Sequence, residues 1–217
     1  MAKTKIFISV IPFQGQDKEG NDLLKQLIYT PSGNSRLEYG ETRFPIIPLI
    51  NGYTENGDKV RVIAILTDGE NYKHNYEKYF ITEIDAIVET KNLDFAGIEA
   101  IQVSANEDID AQLALFGKII DKISDGEDIY ACITYGTKPT PIVETMALNY
   151  AYRLKKDVSI GCIVYGQFPH KGEPRGKIYD TTALFFMDSI VNKLAEMKVP
   201  NPKAAIKLML EVGDKDE

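Results

Sequence analysis

The hydrophobic positions alternate between two kinds of run. Short, nearly continuous apolar stretches recur at residues 5–11 (KIFISVI), 60–66 (VRVIAIL), 98–103 (IEAIQV), 129–134 (IYACIT) and 158–165 (VSIGCIVY). Runs of that length predict strands: buried on both faces at 129–134, buried at 60–66 and central at 5–11. Between and after them lie longer segments with helical spacing. In 71–90, Tyr76, Tyr79, Phe80, Ile84, Ile87 and Val88 fall mostly on one face. In 109–123 the stripe is Leu113, Phe116, Ile119, Ile120 and Ile123, with Asn106 or Asp108 near its start. In the helix after Pro139 it is Val143, Met146, Ala147, Tyr150, Ala151 and Leu154. Two more amphipathic helices are expected at 181–197 and 202–212, the last capped near Asn201.

The remaining segments read less regularly. Residues 23–30 fit a strand, because Pro31-Ser32-Gly33-Asn34 reads as a turn. Pro45 and Pro48 argue against either a central strand or a helix interior in 44–53. Asn56-Gly57 is a tight-turn signal. Residues 166–177 are polar and rich in Gly and Pro, and fit a loop or hairpin leading to a short strand near Ile178.

Strands alternating with helices predict an α/β fold: a Rossmann-like, mostly parallel, doubly wound sheet with a terminal β-hairpin and C-terminal helices. The expected division is residues 1–180 as a ligand-binding domain and 181–217 as C-terminal helices packed on that domain or on a dimer interface. Ligands of such sheets bind beyond the carboxyl ends of the strands. Three turns converge there: Pro12-Phe13-Gln14 after the first strand with Ser9 close by, Thr67-Asp68-Gly69 after the run at 60–66, and Thr134-Tyr135-Gly136-Thr137-Lys138. In the last, Thr140 can cap the following helix and Pro141 suits its first position. A glycine turn into a helix N-terminus presents N–H groups that favour phosphate, and Lys138 adds a point charge. The same pattern also describes an ordinary strand–helix unit with a solvated lysine.

Composition narrows the partners. A net charge of −7 over 217 residues argues against a broad footprint on duplex nucleic acid, but not against a small anion in a local basic pocket. No apolar run approaches a membrane span and no signal peptide is visible. Cys132 and Cys162 lie in apolar runs and read as buried thiols in a reducing cytoplasm, neither a disulfide nor half of a metal site. There is no dinucleotide fingerprint, no P-loop and no nucleophile elbow, so no cofactor is expected. His74 and His170 have no helical His partner and no nearby Cys; both read as solvated residues, and no metal site is expected.

At Thr134-Tyr135-Gly136-Thr137-Lys138, after a buried strand and before a Pro-initiated helix, the chain resembles the CARF (CRISPR-associated Rossmann fold) domains. The first strand with its polar turn, the strand ending at Thr67-Asp68, and the hairpin leading to Asp180-Thr181-Thr182 follow in the order of that family, over roughly residues 3–200. The resemblance implies a homodimer whose two-fold pocket takes a cyclic oligoadenylate, cyclic tetra- or hexa-adenylate, the messenger of type III CRISPR antiviral signalling. It places Lys138 against phosphates and Phe13 or Tyr135 against adenine, although Tyr135 serves equally as a plain structural aromatic. It lets the loop with His170, Lys171 and Arg175 cover the ligand. If the protein is also a metal-independent ring nuclease, the ribose 2′-hydroxyl attacks the neighbouring phosphate, with Lys138 stabilising charge and Ser9 or Gln14 orienting the ribose. Familiar effectors of this family add a ribonuclease module with an Arg…His motif, and that spacing is missing here. Three readings follow: a sensor or the sensory domain of a longer or partnered effector, a ring nuclease, or an unrelated Rossmann-like nucleotide-binding protein.

Overall fold

The structure, a computed structural model, describes residues 3–169 and 175–213. The chain divides into two compact units, Met1–Thr181 and Thr182–Glu217.

The first unit is built on an eight-stranded sheet in the order β3-β2-β8-β7-β6-β1-β4-β5. The strands are β1 (Thr4–Val10), β2 (Leu27–Ser32), β3 (Glu41–Thr42), β4 (Lys59–Thr67), β5 (Asp94–Val103), β6 (Glu127–Cys132), β7 (Ser159–Gln167) and β8 (Gly176–Asp180). Pairings β1–β4, β1–β6, β4–β5, β6–β7 and β2–β8 are parallel, while β2–β3 and β7–β8 are antiparallel. This is the mostly parallel α/β sheet with a hairpin that the apolar runs predict. In β4, Val62, Ile63, Ala64, Ile65 and Leu66 are all buried. Successive residues of a strand point to opposite faces, so both faces are covered. The covering helices are α1 (Ile46–Tyr53), α2 (Glu70–Asn75), α3 (Ile81–Lys91), α4 (Ile109–Lys122) and α5 (Thr140–Leu154). Helix α1 packs with α3, and α4 with α5. At the sheet's amino end, Arg61 of β4 reaches past β1 to Glu127 of β6, with Nε 2.7 Å from Oε1 and Nη2 2.8 Å from Oε2.

Several local expectations are corrected. Residues 44–53 contain helix α1 despite two prolines. Pro45 is the residue before the helix and Pro48 lies in its first turn, where a backbone N–H has no intrahelical partner to lose. Strand β2 runs through Pro31 and Ser32, so the turn begins only at Gly33 (φ +77°). Beside Pro31, β8 takes parallel register at Ile178, on β2's side away from the short β3. The sixth strand ends at Cys132 rather than at residue 134. The 71–90 helix is interrupted at Tyr76–Phe80 by a wider turn, in which the Ile81 N–H donates to the Tyr76 carbonyl five residues back.

The apolar stripes of α4 and α5 are also shifted. Helix α5 buries Val143, Glu144, Ala147, Leu148 and Ala151, while Met146 and Leu154 are largely exposed. Helix α4 buries Leu115 and Ile119 and exposes Leu113; the Asp108 side chain caps it through the Ala111 N–H at 2.8 Å.

The second unit is a helical pair, α6 (Thr182–Glu196) and α7 (Pro202–Gly213). The Asn201 side chain accepts the Ala204 N–H at 3.1 Å, capping α7 as expected. Val191, Leu194, Val199 and Ile206 line a groove between the two helices.

Candidate functional site

The topology places the switch point between β1 and β6. From β1 the parallel part of the sheet grows one way to β4 and β5, and from β6 the other way to β7. The loops that leave β1 and β6 therefore diverge and open a crevice, the usual ligand position in a doubly wound sheet. A cleft of about 300 Å³ lies there, lined by Pro12, Phe13, Gln14, Tyr72, Thr134, Tyr135, Gly136 and Phe168. The turns after β1 and β6, expected to converge, line this one cleft. Tyr72 of α2 and Phe168 after β7 complete it.

Each wall is held by specific contacts. The Phe13 ring is exposed and lies 5.4 Å from the Tyr72 ring, tilted by 51°. The amide of Asn75 donates to the carbonyls of Pro12 at 2.9 Å and Gln14 at 2.8 Å. A Cβ on Gly15 would meet the Asn71 side chain at 2.7 Å, so that loop lies tight against α2. The hydroxyl of Thr134 accepts the Gly166 N–H at 2.8 Å and lies 3.1 Å from Cys132 Sγ, joining β6 to β7. Tyr135 is buried, donates from its hydroxyl to the Arg43 carbonyl at 2.6 Å, and has its ring 5.9 Å from Phe168. Burial pushes its phenol well above 10, so it stays neutral at physiological pH.

The turn into α5 departs from the expected phosphate cradle. Thr140 does not cap the helix from outside. It is the first helical residue, and its hydroxyl accepts the Thr137 N–H at 3.1 Å and meets the Thr137 hydroxyl at 3.1 Å. Pro139 and Pro141 bring no N–H. Gly136 takes φ +104°, and a Cβ there would approach Thr140 Cβ to 2.8 Å. Lys138 is exposed, two residues along the chain from Gly136 of the cleft, and does not line it.

The other expected residues are spread out. Thr67 and Thr137 line a separate recess of about 20 Å³, between the ends of β4 and β5 and the starts of α4 and α5. Asp68 is exposed, its N–H held by the Val103 carbonyl at 2.9 Å, and lines neither space. Ser9 is completely buried and lines neither. Its hydroxyl lies 3.4 Å from the Val10 carbonyl and also meets the Cys132 thiol. His170 and Lys171 lie outside the described residues. His74 is half-exposed and pairs with Asp22 at 3.1 Å.

The cleft lining contains no carboxylate, imidazole, thiol or amine among the described residues. Its polar groups are the Gln14 amide, the Thr134 hydroxyl, two phenols and backbone. That chemistry suits a planar ring laid against aromatic faces. Among the described residues, no three His, Cys, Asp or Glu side chains cluster to hold a metal, and no helix is long and apolar enough to cross a membrane. Cys132 and Cys162 are buried and form no disulfide, and burial pushes the Cys132 thiol up to about 11.

Sequence reasoning missed Tyr72, Phe168, Asn75 and Glu144. Tyr72 and Asn75 lie three apart on α2, a spacing that shares a face, but only the fold shows that this face meets the β1 loop. Glu144 is fully buried with neither carboxyl oxygen hydrogen-bonded among the described residues, and burial pushes it well above 4.5. No protein-family model and no curated protein matches the chain.

Proposed function

We propose that the protein is a CARF-type sensor that binds a cyclic oligoadenylate in a pocket shared by two copies of the chain. One observation carries the reading: the turns at 12–14 and 134–136, far apart in sequence, line a single cleft at the sheet's switch point. The aromatic walls suit adenine, and the exposed Lys138, two residues after Gly136 of that lining, is the cation for phosphate. A volume of about 300 Å³ is at the small end of ligand sites and takes one nucleotide unit. A ring of four or six adenylates needs a second cleft, which a two-fold partner supplies by symmetry.

Recognition is better supported than cleavage. Among the described residues the lining offers no carboxylate, imidazole or amine, and Ser9 is too buried to orient a ribose. Among the described residues, ring cleavage would rest on the substrate's own 2′-hydroxyl and on Lys138.

Calorimetry with cyclic tetra-adenylate and cyclic hexa-adenylate, with ATP as control, tests the reading. One ring bound per two chains, without linear products by chromatography, is the expected result. Binding of neither ring overturns it. One mononucleotide per chain would instead mark an unrelated nucleotide-binding protein, and linear products would mark a ring nuclease.

A further inference from the structure

The wall formed by 12–14 is not held by the sheet. It hangs beyond β1 as part of a long excursion and is fastened to the helical run that begins at α2. At the far end of the excursion, Asp22 takes bonds from His74 Nε2 at 3.1 Å, Lys78 Nζ at 2.8 Å and the Tyr79 hydroxyl. At the cleft end, the fastening is Asn75. It is 1% exposed and sits in the last turn of α2, directly before the wide turn at Tyr76–Phe80. Both of its Nδ2 bonds go to carbonyls of the cleft wall, on either side of Phe13.

That pairing has a geometric consequence. Peptide groups are planar, so fixing the carbonyls of residues 12 and 14 fixes two peptide planes. Few torsions remain between them, and those place the Phe13 ring and the start of the Gln14 side chain. Pro12 brings no N–H and is buried, so its carbonyl needs a donor from inside the turn, and Asn75 supplies it.

We propose that Asn75 is a positioning residue of the cleft: its bridging amide fixes the Pro12 and Gln14 carbonyls and so presents Phe13 and Gln14 to a bound nucleotide. Asn75 touches no ligand itself. The proposal rests on the nucleotide-binding reading for its affinity readout, but not for its structural one.

The test compares the parent with Asn75→Leu, which keeps the volume and donates nothing, and Asn75→Ser, which keeps one donor. Chymotryptic cleavage between Phe13 and Gln14, mapped by mass spectrometry, reports the wall; calorimetry with whichever cyclic oligoadenylate the parent binds reports the site. With Leu, cleavage at Phe13 rises at least tenfold over cleavage elsewhere in the chain, and affinity falls at least tenfold. Asn75→Ser lies between, and it carries the comparison if the Leu variant is not recovered folded. Unchanged cleavage at Phe13, a rise shared equally by all sites, or unchanged affinity despite a loosened wall each overturn the proposal. If the parent binds neither ring, the nucleotide reading fails, and the cleavage pattern alone decides whether Asn75 sets the wall.

Discussion

The hydroxyl of Tyr135 donates to the carbonyl of Arg43 across a sequence separation of 92 residues. Arg43 in turn lays its guanidinium 4.0 Å over the Tyr79 ring, donates to Glu83 at 2.9 Å and reaches the Leu24 carbonyl at 3.2 Å. A residue of the candidate cleft is thus tied to the segment leading into α1. Tyr135→Phe keeps the ring but leaves that part-buried carbonyl without this donor. The expected cost is about 1–2 kcal/mol in urea unfolding. An unchanged midpoint would show that the bond contributes nothing.

Gly136 is the second test of the same turn. Its positive φ and the nearness of Thr140 leave no room for a methyl group. Gly136→Ala is expected to cost about 1–3 kcal/mol and to weaken ligand binding with it, because the turn must move. A variant as stable as the parent would mean that the turn relaxes freely.

Lys138 belongs to the surface and enters no ion pair among the described residues. Lys138→Ala should therefore leave the unfolding free energy within about 0.5 kcal/mol of the parent. Affinity for a cyclic oligoadenylate should drop. Its dependence on salt should become shallower by roughly 0.7 logarithmic units for each phosphate that the side chain neutralises in the parent. Equal salt slopes for the two proteins would remove Lys138 from the phosphate role.

Glu144 has a pH signature. Its folded carboxyl is held well above the ordinary value of 4.5 by burial. Above 4.5 the unfolded chain gives up this proton while the folded one keeps it, so the group lowers stability as pH rises. The slope is at most about 1.4 kcal/mol per pH unit, until the folded group also ionises. Glu144→Leu lacks that slope, so its stability advantage should widen from pH 5 to pH 8 in urea titrations. A constant difference across that range would place the carboxyl elsewhere than in the apolar interior.

What the sequence made legible followed from local physics. The continuous apolar runs at β1, β4 and β6 could be little but doubly covered strands, and the Asp108 and Asn201 caps sit where helix starts need acceptors. Pro48 misleads because a proline's effect depends on its position from the helix start, which only the fold fixes. On α5 the spacing points to Met146 and Leu154 and away from Glu144, because a carboxylate reads as solvent-facing. Of the site, the turns at 12–14 and 134–136 are legible, since both follow strands of the central pair. Tyr72 and Asn75 are not, because their role arises where α2 happens to meet the β1 loop.

The strand order also governs when the fold can finish. Strand β2 emerges from synthesis directly after β1, yet its parallel partner is β8, and Asn34 closes onto Asp180 at 2.7 Å across 146 residues. Until residues 176–180 appear, Leu27, Ile28 and Tyr29 have only the two-residue strand β3 to pair with. A growing chain therefore carries an open, apolar sheet edge through most of its length. That edge is the natural place for a nascent copy to be captured by a chaperone or by another nascent copy.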